Sequence, residues 1–207
     1  MELQNVTGEM LTEKIRSRAK MMFVLFLPSA VLALLVGILL VIRFRMIGAL
    51  IGTVLLAVPL RFVFGALPEQ LQPERAEVFR KYGAPDKVAE RIRNGSDDVF
   101  FQNGRLVVTE QYLLDTERPE TLLFFPHALT VYPDGVKGKE EYLIVYDSWG
   151  QKLRYPYTNG KQQVMKADIL TDKIRKHAPG CRSGHRPEDM DYVKQHQQPL
   201  PELSPTD

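Results

Sequence analysis

A chain of 207 residues has room for one modest soluble domain beside other elements, since domains usually run to about 100–200 residues, so a two-domain enzyme does not fit. Its 27 lysines and arginines nearly balance 25 acids, leaving a net charge of +2 and no basic footprint for nucleic acid. The single cysteine, Cys181, excludes an internal disulfide and a zinc site built on several thiolates, and it reads as a bystander thiol.

Residues 1–20 are polar with scattered apolar positions, and a short helix is expected from Thr12 toward the membrane stretch. Residues 21–42 (MMFVLFLPSAVLALLVGILLVI) carry no charge over a length that covers the roughly 30 Å hydrocarbon core at about 1.5 Å per residue. A signal peptide has a shorter apolar region and a small-residue cleavage site, so this stretch reads as a retained spanning helix. Residues 46–67 (MIGALIGTVLLAVPLRFVFGAL) are long enough to span as well, with Arg61 close enough to the Pro68 end to snorkel to the headgroups. The alternative for Arg61, a buried ion-path residue, lacks an intramembrane acid to pair with.

Only Arg43-Phe44-Arg45 separates the two runs, which predicts an antiparallel transmembrane hairpin. Ser29, Ala33 and Gly37 recur every four residues on the first helix, as do Gly48 and Gly52 on the second, the spacing that lets backbones approach in lipid. Reflection about Phe44-Arg45 sets Gly37 by Gly52, Ala33 by Leu56 and Ser29 by Leu60. The competing use of the same small-residue face is homodimerisation. Lys14, Arg16, Arg18 and Lys20 before the hairpin, with Arg75, Arg80, Lys81 and Lys87 after it, outnumber the two tip arginines. The positive-inside rule then puts both termini in the cytoplasm of a two-span cell-membrane protein.

Residues 68–98 read as a helical connector of two short helices, about 73–82 and 85–93, closed by Gly83 and Gly95. From Val99 the period becomes strand-like. Val99-Phe100-Phe101 and Leu106-Val107-Val108 flank Asn103-Gly104, a two-residue hairpin signal. Further strands are expected at 112–114, 121–125, 129–132, 142–146 and 153–157, separated by turn residues such as Pro133-Asp134-Gly135 and Ser148-Trp149-Gly150. Residues 162–178 return to helical period, with Val164, Ala167, Leu170 and Ile174 on one face. The fold class is α+β, and residues 181–207, rich in Pro, His, Gln and acids, read as a disordered tail.

Seven short strands followed by one amphipathic helix give the element order of a pleckstrin-homology fold. With Arg105-Leu-Val-Val-Thr-Glu-Gln-Tyr-Leu-Leu114, Leu129-Thr-Val-Tyr132 and Tyr142-Leu-Ile-Val-Tyr146, the segment 99–180 resembles the membrane-anchored bacterial pleckstrin-homology-like proteins. The resemblance is one of pattern and implies the fold, not an activity.

No Walker loop, dinucleotide fingerprint or nucleophile elbow occurs, so neither an enzyme nor a cofactor is expected. His177 at a helix end reads as a dipole contact, and His185 with Glu188, Asp189 and Asp191 does not make a metal site on a flexible tail. The first hairpin offers one arginine, Arg105, which is too little for a polyphosphate clamp. Trp149 with Lys152 and Arg154 is the candidate partner surface, against the alternative of a corner tryptophan with solvated cations. The expected partners are the lipid bilayer, through the hairpin, and a protein. Two functions are consistent with these readings: a membrane-tethered interaction or regulatory module, or an accessory subunit of a membrane complex bound through the hairpin.

Overall fold

The computed structural model describes residues 2–102, 104–135, 141–159, 162–163 and 167–201, with the surroundings of Arg45, Gly48 and a few other helical or strand residues outside that description. The chain mixes a long apolar N-terminal helix with mainly antiparallel sheets and forms two compact units, Glu9–Ala76 and Met1–Gly8 with Glu77–Asp207.

Helix α1 spans Gly8–Leu71. Its stretch Gly8–Phe44 is long and apolar enough to cross a membrane, and Ile51–Phe64 is a shorter apolar stretch. Near the start, Leu11, Ile15 and Ala19 recur every four residues and are buried. Helical backbone continues through Arg43-Phe44-Arg45, where the sequence predicts a break, and past Pro68 to Leu71. Three prolines, Pro28, Pro59 and Pro68, lie within it, positions that cost a helix in water but are tolerated in apolar membrane helices. A Cβ on Gly37 would lie 3.3 Å from Gly52 Cα. Phe26 stacks on Phe62 with ring centroids 4.4 Å apart. On a straight helix Gly37 and Gly52 would stand about 22 Å apart at about 1.5 Å per residue, so the segment does not run straight.

Of the expected connector, residues 68–71 still belong to α1 and Pro73–Arg75 form a separate short turn, so its first helix starts later than residue 73. Helix α2 spans Glu77–Tyr82 and α3 spans Pro85–Asn94, with Pro85 in the first turn of α3. Val88, Ala89 and Ile92 form the buried face of α3. The chain start packs here too: Val6 is buried, and its carbonyl accepts from the Arg93 guanidinium.

The first sheet runs in order β1 (Phe101–Gln102), β2 (Leu106–Val108), β3 (Tyr112–Asp115) and β4 (Leu123–Phe124), all antiparallel. Gln102 pairs with Val107, so the first connection is wider than the two-residue loop that Asn103-Gly104 predicted. Asn103 itself lies outside the described residues. Every residue of β2 and β3 is buried, which explains their lack of alternation. One face meets the core, and on the other Tyr112 donates its hydroxyl to Ile92 O of α3 at 3.1 Å.

The second sheet contains β5 (Ala128–Gly135), β6 (Glu141–Asp147) and β7 (Lys152–Pro156), successive and antiparallel. Leu143, Val145, Leu153 and Tyr155 enter the core with Leu106, Leu113, Leu123 and Phe125 from the first sheet side. Two strands that sequence reading missed, β8 (Thr158–Asn159) and β9 (Gln162–Gln163), make a small hairpin where a helix was expected to start. Helix α4 spans Ala167–His177, with Leu170 and Ile174 in the core; Val164 of the expected helical face lies outside the described residues.

The expected disordered tail is corrected for residues 181–201. Strand β10 (Arg182–Ser183) pairs in parallel with β5, and α5 (Pro187–His196) packs on the same strand. The polar composition misled because α5 buries only Val193, so little hydrophobic signal was needed. Its start is set by Pro187 and by Asp189, whose carboxylate accepts from Arg186 N at 2.9 Å. Residues 202–207 of that tail lie outside the described residues.

Candidate functional site

Asp147 closes β6 and is fully buried. Its Oδ1 accepts the N–H groups of Trp149 at 3.0 Å and Gln151 at 2.8 Å, an Asx-type turn that orients Ser148-Trp149-Gly150. Gly150 holds φ at +75°, in the left-handed region that suits glycine. The Asp147 Oδ2 accepts Lys81 Nζ of α2 at 2.6 Å, and that pair is almost wholly removed from solvent. Lys81 also donates to Gln151 Oε1. Two buried charges of opposite sign, each further hydrogen-bonded, thus staple the connector to the β6–β7 turn.

Aromatic rings fill the space around the staple. Trp149 stacks on His127 at 4.7 Å and meets the Tyr82 ring edge-on at 5.4 Å. Lys81 Nζ lies 5.4 Å from the Trp149 ring centre. Tyr82 also meets Phe124 edge-on at 4.9 Å, and the Arg91 guanidinium lies over Phe124 at 3.7 Å. His127 Nδ1 is 3.2 Å from Ser148 Oγ, and Ser148 N–H donates to His127 O at 2.7 Å. Burial, then the nearby Arg91 charge, holds the His127 imidazole below its ordinary pKa. Burial, then the Asp147 charge, drives the Tyr82 hydroxyl well above its own. The arrangement is a held corner of neutral rings and paired charges, suited to presenting Trp149 in one orientation.

Of the candidate partner residues, Trp149 is half-buried in this corner. Lys152 and Arg154 stand exposed on β7, opposite Tyr146 and Ile144, and Arg154 lies 3.6 Å over the Tyr142 ring. The two cations share the outer face of the second sheet, whereas the contacts of Trp149 are with α2 and His127. Arg105, the one arginine of the first hairpin, is engaged by buried Asp115 through Nε at 3.0 Å and Nη2 at 2.8 Å. His177 lies 2.7 Å from Glu110, which also engages Lys173, so its contact is a side chain as well as a helix end. Cys181 is buried, and burial pushes its thiol up to about 12, far from a nucleophile's range.

Among the small residues of α1, Gly37 and Gly52 touch, and Ala33 and Leu56 line the same apolar recess. Ser29 is exposed and its hydroxyl donates to Phe26 O at 2.7 Å, a bond within the helix. The surroundings of Gly48 lie outside the description.

Sequence reading missed the Lys81–Asp147 pair and the His127–Trp149 stack. The partners are far apart in the chain, and the one local signal was the turn composition after Asp147. No protein family, curated protein or solved structure matches this chain.

Proposed function

We propose that the protein is a membrane-tethered, non-enzymatic interaction or regulatory module. In this reading residues 21–42 and 46–67 form a two-helix transmembrane hairpin, and residues 99–180 a pleckstrin-homology-like domain, with both termini in the cytoplasm. The observation that carries it is the outward placement of large apolar side chains along α1. Leu25 is 64% exposed, Leu39 65%, Ile42 75% and Val54 64%. Side chains of this kind facing outward over such a length call for lipid around them. The Gly37–Gly52 contact, symmetric about Phe44-Arg45, and the Phe26–Phe62 contact, centred on Phe44, support the hairpin. For the domain, support comes from a four-stranded antiparallel sheet, three further successive antiparallel strands, and a helix that contributes Leu170 and Ile174 to the shared core.

Two tests bear on this reading. Resistance of the full chain to alkaline extraction from membranes is expected, with reporter fusions at both ends active only in the cytosol; extraction with the soluble fraction overturns the tether. Co-purification of partners is expected to persist when the hairpin is replaced by an unrelated one. The second reading, an accessory subunit held through its hairpin, is favoured by the recess that Ala33, Gly37, Gly52, Thr53 and Leu56 line, and it predicts loss of partners on that replacement.

A further inference from the structure

Strand β5 runs over eight residues and pairs with β6 along its length, yet among the described residues the strand pairing on its other edge is limited to the two residues of β10. A long strand with so short a neighbour is the kind of edge to which extended segments add. The chain's own C-terminal residues sit there. Gly184 N–H donates to Val131 O at 3.1 Å, and Thr130 Oγ1 donates to Gly184 O at 3.0 Å. Farther on, Gln198 N–H donates to Ser148 O at 2.6 Å, and Arg80 Nη2 donates to Pro201 O at 3.1 Å.

The surface under this segment and the bonds that hold it are unequal. Ile144 is 0% exposed and Tyr132 is 8%; neither belongs to the inner core, and both sit on the outer face of the second sheet, where alternation along a strand puts them. Between residues 182 and 201 only Val193 is buried. A segment attached by a few hydrogen bonds, one buried apolar side chain and the His185 ring on Tyr132 at 4.6 Å opens locally more easily than the core. The Tyr132 ring it would uncover is of the type that dominates protein interfaces.

We propose that the edge of β5 and the outer face of the second sheet are a docking surface for an extended segment of a partner protein, and that residues 182–201 are a latch which the partner displaces. This deepens the interaction-module reading and rests on it. The face dictates the chemistry of the partner segment. It adds a strand through backbone groups and covers Ile144 with an apolar side chain. It also carries acids, because Lys152 and Arg154 stand exposed on the outer face of the same sheet.

Amide hydrogen exchange of the intact chain in detergent tests the latch. The amides of Gly184 and Gln198 are expected to exchange at least ~10-fold faster than those of Leu143 and Val145. Equal protection overturns the proposal. In a second test a synthetic peptide of residues 182–201 is added to the chain ended after Cys181, with Trp149 fluorescence as the readout. Saturable binding is expected. A peptide with N-methylglycine in place of Gly184, which lacks the N–H that reaches Val131 but adds no Cβ at a position held at φ +148°, is expected to bind up to ~10-fold more weakly, the worth of about one hydrogen bond. A shortened chain with native circular dichroism that does not bind, or that binds both peptides alike, overturns it. If the shortened chain does not fold, exchange in the intact chain decides. A dimer of the intact chain that grows with concentration and vanishes on the same shortening would make the occupant a second copy and overturn a foreign partner. Loss of partners on hairpin replacement would refute the module reading while leaving the exchange rates as they are.

Discussion

The two units of this chain place the same residue types in opposite ways. Leu39 of α1 is 65% exposed, whereas Leu113 of β3 is fully buried. In the sheet-bearing unit, burying a leucine contributes about 1.5–3 kcal/mol because water is the alternative. Along α1 many large apolar side chains point outward, so water is the wrong surroundings for them. The difference teaches that hydropathy has no direction until the solvent is named. It also locates polar risk: in the sheet-bearing unit the costly groups are the few charges taken inside.

The largest effect is expected there. Asp147→Ala leaves Lys81 buried without its partner and removes the acceptor for two turn amides. A loss of about 3–5 kcal/mol is expected, read by denaturant unfolding in detergent with Trp149 as the probe. A loss below about 1 kcal/mol would mean that the staple is not a buried pair.

Next comes the apolar unit. Cysteines at Ala33 and Leu56 are expected to cross-link, and Gly52→Leu, whose side chain would start 2.9 Å from Gly37 Cα, is expected to abolish the link. Cross-linking unchanged by Gly52→Leu would remove the small-residue contact as the cause.

A smaller, pH-dependent effect is expected at His127. Its folded pKa lies below the ordinary value of 6.5, so the unfolded chain binds this proton more tightly. Its contribution to stability is present above that value and declines as pH falls below it toward the depressed folded pKa. Unfolding midpoints measured at pH 7.5 and at about pH 5 should differ less in His127→Phe than in the parent. The smallest effect is expected on the surface: Lys194→Ala, which breaks an exposed pair with Asp191, should change stability by less than about 0.5 kcal/mol.

The connector helices were legible because Pro85, Gly83 and Gly95 punctuate an apolar face of Val88, Ala89 and Ile92, all local signals. The strands from β2 to β7 were legible for the same reason, through β-branched and aromatic runs between turn residues. Partial legibility marks the candidate surface. Trp149 was singled out by its chemistry, but its companions are His127, Tyr82 and Lys81, and not the Lys152 and Arg154 that lie nearest in sequence. The C-terminal segment was misread because one buried valine and backbone bonds to β5 leave no periodic pattern to find.

By itself the sequence determined that a long uncharged stretch precedes a strand-rich unit, because charge and hydropathy act residue by residue and need no partner to be read. The tertiary structure decided which distant groups meet: Gly37 with Gly52, Lys81 with Asp147, and β10 with β5. Those contacts depend on how chain segments far apart in sequence pack together, and no local periodicity encodes a pairing of that kind.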